Sequence, residues 1–152
     1  MVAISNKKCL GYKLYESGAV NAERFNDFLT GILKNTKNKL IILDNGQIHK
    51  KEETKNTIKN SNNNLLFTIP YHPRLNSIEQ WFNQVKHYIK QDKPKNFNKL
   101  KESLKNSINK IKKEHYENYF IYAYDKKSYK SNKKENKKSS KYRKQKIYKT
   151  GI

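Results

Sequence analysis

Two carboxylates in this chain are placed to do chemistry. Asp44 ends the apolar run Leu40-Ile41-Ile42-Leu43 and is followed by Asn45-Gly46-Gln47-Ile48-His49. Glu79 lies in the segment Tyr71-His72-Pro73-Arg74-Leu75-Asn76-Ser77-Ile78-Glu79-Gln80-Trp81, at the first turn of an amphipathic helix, and 34 residues separate it from Asp44. Hard carboxylate oxygens suit divalent ions such as Mg²⁺ and Mn²⁺. A pair of such ions can drive in-line displacement at phosphorus. Each acid also has a purely structural reading. Asp at a strand end commonly bonds its own turn, and Asn76 with Glu79 fits a capping box. His49 and His72 are candidate phosphate contacts or proton shuttles. Lys86, two helical turns beyond Glu79, falls on the same face and could meet a phosphate.

The elements that must position these groups are readable from periodicity. Val2 to Ile4 and Cys9 to Tyr15 read as short strands joined by a turn at residues 5–8. Asn21 caps a helix whose apolar residues Phe25, Phe28, Leu29, Ile32 and Leu33 form one stripe. Leu40 to Leu43 is apolar on both pleat faces, which predicts a central, parallel-type strand covered on each side. Residues 50–60 are polar apart from Ile58 and predict a weak surface helix. Leu65 to Ile69 reads as a buried strand stopped by Pro70. Ile78, Trp81, Phe82, Val85 and Ile89 mark the next helix, and Phe97, Leu100, Leu104, Ile108 and Ile111 another. The aromatic run Tyr116 to Tyr124 predicts a final short helix. Strands alternating with helices place the chain in the α/β class, with helices covering a mixed sheet.

Composition narrows the partners. The chain has 152 residues and a formal charge of +21, with 31 Lys against 3 Arg and 20 Asn against 4 Ala. The charge points to nucleic acid. The Lys and Asn excess is also what an AT-rich genome imposes through its codons. Residues 125–152 hold 12 Lys or Arg and 2 acids, a net of +10, and predict a disordered basic tail after a domain at residues 1–124. Tyr129, Tyr142 and Tyr148 stand among those lysines, where they could stack on bases. The one cysteine, Cys9, excludes an internal disulfide and a cysteine-type zinc site. The polar N-terminal segment and the short apolar runs argue against a secretory signal and a membrane span. A soluble, intracellular protein is expected.

Taken jointly, the motifs resemble the DDE transposases of the mariner-type superfamily, particularly its bacterial insertion-sequence branch. The resemblance rests on Asp44-Asn45, His49, Pro70-Tyr71, Pro73, Leu75-Asn76, Ile78-Glu79, Trp81 and Lys86, on the spacing of the acids, and on the strand-strand-helix lead-in from Val2. Ser77 stands where the family usually has proline, and His72 where it usually has serine. The resemblance implies an RNase H-like fold. It implies three acids holding two Mg²⁺ or Mn²⁺ ions, and DNA cleavage followed by strand transfer from the freed 3′-hydroxyl. Asp44 would be the second acid and Glu79 the third, both metal ligands and catalytic. His49, His72 and Lys86 would contact DNA.

In the family the first acid lies on the first strand of the sheet. Here the chain opens on what corresponds to the second strand, and the family's helix-turn-helix region is not in it. Glu16 follows the first hairpin, and Glu23 and Asp27 fall on the first helix, so none of them replaces the first acid. The expectation is an N-terminally truncated catalytic domain with its first strand missing, inactive alone, whose missing strand comes from another polypeptide. The alternative is a non-catalytic basic nucleic-acid-binding protein, or a remnant of a decayed mobile element.

Overall fold

The computed structural model describes residues 1–70 and 72–124. Tyr71 and the basic tail lie outside them. Val2–Ile4 (β1) and Cys9–Tyr12 (β2) pair antiparallel, with Val2 opposite Tyr12 and Ala3 opposite Gly11. The polar turn closes through Ser5, whose hydroxyl accepts from the Lys7 and Lys8 amides at 3.2 Å. Alternation predicts β2 as far as Tyr15, but it ends at Tyr12. Lys13 pairs with Met1, which is the end of the partner strand in this chain.

Ala22–Leu33 forms α1, started by Asn21, whose side chain accepts from the Arg24 amide at 2.9 Å. Its stripe buries Phe25, Leu29 and Leu33. A Cβ on Gly11 would stand 2.6 Å from Ile32 Cδ1, so the bare backbone of β2 is what lets α1 approach.

Leu40–Leu43 (β3) and Asn64–Phe67 (β4) pair in parallel, Leu40 opposite Asn64 and Leu43 opposite Phe67. Their starts are locked by asparagines. Asn38 and Asn62 both take the left-handed conformation, at φ 55 and 60, which Asn tolerates better than most residues. The Asn38 amide donates to the Asn62 carbonyl at 2.9 Å, and Asn62 Nδ2 to Asn38 Oδ1 at 3.1 Å. Between the strands, Glu52–Asn60 forms α2. Its polar sequence reads as a surface helix, yet Thr54 and Ile58 are both 0% exposed.

The remaining helices are α3 (Ser77–Asp92), α4 (Phe97–Lys110) and α5 (Lys113–Tyr124), with a 3-10 turn at Pro73–Leu75 before α3. α3 stops at Lys93, left-handed and followed by Pro94.

The strands form two separate pairs, β1-β2 and β3-β4, rather than one continuous sheet. The expectation that β3 is central is therefore corrected. Among the described residues it pairs on one side only, and Leu40 is 55% exposed. Apolar residues on both pleat faces record coverage by side chains from above and below. They carry no information on whether a second strand is paired at the edge. The core is divided in the same way. Trp81, Val85, Leu104, Ile111, Tyr116 and Tyr119 bury one cluster, against which β1 and β2 pack. Phe25, Leu29, Leu33 and Ile58 bury the other, against β3 and β4.

Candidate functional site

Asp44 leaves β3 at its carboxyl end, where parallel strands present side chains to a crevice. The strand end is fixed by the Leu43 carbonyl, which accepts from the Thr68 amide at 2.9 Å. Asn45 donates from its side-chain amide to the Thr68 carbonyl and ties the following loop to the same place. The chain then turns back at Gly46, whose carbonyl accepts from the His49 amide at 3.0 Å.

That turn returns His49 to the carboxylate. Asp44 Oδ1 accepts from the Gly46 amide at 2.8 Å and meets His49 Nδ1 at 2.7 Å. His49 is held from behind by Phe25 of α1, with ring centroids 4.5 Å apart. The loop is anchored below by Thr54, whose Oγ1 lies 3.0 Å from the Ile48 carbonyl oxygen. Asp44 Oδ2 has no bond among the described residues. The Asp44 side chain is 53% exposed, against 18% for His49. One oxygen is oriented and the other is offered outward.

Glu79 lies in the first turn of α3, its amide accepted by the Asn76 carbonyl at 3.0 Å. Asn76 occupies the N-cap position but makes no side-chain cap bond. The capping box allowed by the sequence does not form. The Glu79 carboxylate engages no hydrogen bond or ion pair among the described residues, although the helix N-terminus favours its charge.

Asp44 and His49 line a cavity of about 950 Å³ together with Asn76, Ser77 and Ile78 at the start of α3, whereas Glu79 is not one of its lining residues. Lys86 is two turns along α3 from Glu79 and sets its Nζ 5.7 Å from the centre of the Phe82 ring. His72 is exposed and bonds locally, its Nδ1 2.9 Å from the Pro70 carbonyl oxygen. Sequence reasoning sets Asn45 beside Asp44 in the family motif but assigns no contact to it or to Gly46. The Asn45-Gly46 turn signal was visible, but not that it folds His49 onto Asp44. It also missed Arg74, which donates to the Tyr122 hydroxyl and stacks 4.9 Å from that ring, pinning the approach to α3.

In donor chemistry the free Oδ2 of the exposed Asp44 and the unpaired carboxylate of the half-buried Glu79 fit a hard divalent cation. No group of three or more His, Cys, Asp or Glu residues suited to a metal occurs among the described residues.

The sequence pattern of the DDE superfamily endonucleases matches residues 1–101. No curated protein sequence gives a match. Among solved structures, the fold is similar to the Mos1 transposase catalytic domain with raltegravir and Mg, at a TM-score of 0.72 and 18% identity, covering 80% of this chain and 67% of that one. The corresponding structure with Mn gives 0.72 and 18%, covering 80% and 68%. The crystal structure of the catalytic domain of Mos1 mariner transposase gives 0.72 and 18%, covering 80% and 66%. The chain thus spans about two thirds of each of these domains, and the likeness is one of fold, an RNase H-like α/β arrangement.

Proposed function

Because the chain belongs to the DDE superfamily endonucleases, we propose that it is the core of a catalytic domain for metal-dependent DNA cleavage and strand transfer in transposition. The observation that carries this reading is the oriented Asp44 carboxylate, one oxygen held and one free, in a cavity lined also by Asn76 to Ile78, the residues that lead into Glu79.

Asp44 and Glu79 are the residues that would hold Mg²⁺ or Mn²⁺. When bound, such ions activate the attacking oxygen and neutralise charge at phosphorus. His49 acts as a positioning residue. Its bond to Oδ1 and its stacking on Phe25 fix the carboxylate, as a ligand's outer partner does. That bond supports a role for His49 in the site's own scaffold rather than in DNA contact, while Lys86 and the exposed His72 are proposed to contact DNA backbone. The high positive charge supports DNA as partner.

No three possible ligands converge among the described residues, which favours a refinement: the described fold binds one ion weakly and does not cleave DNA by itself. Mn²⁺ titration, followed by water-proton relaxation, tests the ligands. Asp44→Asn and Glu79→Gln should each weaken binding at least about tenfold. Equal affinity in Asp44→Asn would overturn the assignment. The full chain should show no Mg²⁺-dependent nicking of supercoiled DNA above background, and robust nicking abolished by Asp44→Asn would overturn the refinement.

A further inference from the structure

A buried polar pair stands where the α1 stripe calls for an apolar residue. Asn26 lies on the same face of α1 as Leu29 and Leu33, three and seven residues on, and is buried with them. Thr54 of α2 meets it there and is wholly buried. A buried amide or hydroxyl is costly unless it is hydrogen-bonded. Leucine and valine, of similar size, would carry no such cost. The pair is explained by what it bonds.

Thr54 Oγ1 lies 3.0 Å from the Asn26 side-chain amide and 3.0 Å from the Ile48 carbonyl oxygen. A hydroxyl has one proton to give. It can serve the Ile48 carbonyl or an Asn26 oxygen, not both. With Oδ1 facing Thr54, Asn26 Nδ2 is buried without a partner among the described residues. Turning the amide over exchanges two atoms of nearly equal size and removes the conflict. Asn26 then donates to Thr54, and Thr54 donates to Ile48. What stays unpaired is a single acceptor instead of a two-proton donor.

The relay ends beside the candidate site. Ile48 directly precedes His49, and Phe25 directly precedes Asn26. Adjacent residues of α1 thus hold His49 in two ways. Asn26 acts through the carbonyl just before it, and Phe25 through the ring, with centroids 4.5 Å apart. His49 Nδ1 in turn meets Asp44 Oδ1 at 2.7 Å. An ionised carboxylate only accepts, so Nδ1 carries the proton.

We propose that Asn26 and Thr54 are positioning residues of the candidate site: their relay from α1 through α2 to the Ile48 carbonyl fixes the loop that sets His49 against Asp44. Their value for metal binding rests on the reading of Asp44 as a ligand. Their hold on His49 does not.

The test uses the full chain and reads the His49 ring by ¹⁵N–¹H NMR at about pH 8, where histidines are ordinarily neutral. The wild-type ring should be the Nδ1–H tautomer. Thr54→Val removes the hydroxyl and should let the Nε2–H tautomer appear. It should also weaken Mn²⁺ binding at least about tenfold, as loss of an outer partner does. Thr54→Ser should keep both properties. Asn26→Leu combined with Thr54→Val replaces both polar partners by apolar groups, which is close to neutral for stability. This double variant should keep the wild-type thermal transition and still lose the single tautomer, a combination that a merely structural role does not give. It also decides the question if Thr54→Val alone does not fold. An unchanged Nδ1–H tautomer in the double variant would overturn the proposal, as would mixed tautomers in the wild-type chain. Loss of the tautomer in the variants, with no Mn²⁺ bound by the wild-type chain, would uphold the positioning role and remove the metal reading.

Discussion

The half of the molecule built on β1 and β2 differs from the half built on β3 and β4 in what its residues are used for. The first packs against three helices and buries Trp81, Tyr116 and Tyr119 with several aliphatics. The second packs against α1 and α2 and buries only Phe25, Leu29, Leu33 and Ile58 at its centre. It is organised instead by polar groups: the Asn38–Asn62 pair, the buried Asn63 and Thr54, and the loop that presents Asp44. Apolar burial dominates stability, whereas fixed hydrogen bonds set geometry at a modest net gain. The aromatic half stabilises the fold, and the asparagine-rich half aims the carboxylate. The Lys and Asn excess of the sequence reads as codon bias, yet at Asn38, Asn62 and Asn63 the residue type fixes the register of two strands.

The largest effects should come from removing the anchor of each core. Trp81 is 2% exposed, and Trp→Ala in a core costs about 3–5 kcal/mol. Small domains have only about 5–15 kcal/mol in total. Trp81→Ala should therefore abolish the cooperative thermal transition seen by circular dichroism. Ile58 is 0% exposed, and Ile→Ala costs about 2–5 kcal/mol. Ile58→Ala should speed hydrogen exchange in α1, α2, β3 and β4 and leave α3 to α5 protected. Uniform loss of protection in Ile58→Ala would show one cooperative unit and break the division into halves.

A second effect separates the halves by pH. Burial, with the neighbouring Tyr116 and Tyr88, pushes the Tyr119 hydroxyl from 10.0 up to about 12. The unfolded chain gives up this proton first as pH rises. The contribution is therefore complete below pH 10 and is lost between pH 10 and about 12, roughly 2 kcal/mol in all. Tyr119→Phe should flatten the stability profile in that window. It should also cost about 1 kcal/mol at neutral pH, because Gln84 loses the hydroxyl that donates to it. Denaturant titrations from pH 8 to about pH 11.5 would show this, and an unchanged alkaline slope would remove Tyr119 from the account.

Much of this arrangement was legible in the residues. Asn21 caps α1 as its spacing requires, and the Trp81 and Val85 stripe faces the core. Asp44 and Glu79 stand at a strand end and a helix start because apolar period and turn chemistry fix both boundaries locally. What was not legible depends on long-range partners. The burial of Thr54 in a polar segment and the unformed cap at Asn76 are decided by which elements meet, not by local pattern. The His49–Asp44 bond lies between the two cases. It spans only five residues, but it needs Phe25 of α1 to hold the ring.

The smallest expected change in stability tests whether the polar half is built for aim. A Cβ at Gly46 would stand 3.0 Å from Asp44 Oδ1 and 3.2 Å from His49 Nδ1. Both distances are tighter than ordinary contact, so either the carboxylate or the imidazole must give way. Neither group is in a core, and exposed substitutions usually change stability by no more than about 0.5 kcal/mol. Gly46→Ala should therefore leave the thermal transition almost unmoved. Its effect belongs to the Asp44–His49 bond, and partners of this kind are worth about 10–100-fold in metal affinity. Mn²⁺ binding by Gly46→Ala should fall by about the same factor as in His49→Ala, and the double substitution should add little, since both act on one bond. Additive losses would mean that Gly46 and His49 shape the site independently. A large loss of stability with unchanged Mn²⁺ affinity would mean that the polar half, like the aromatic one, is built first for stability.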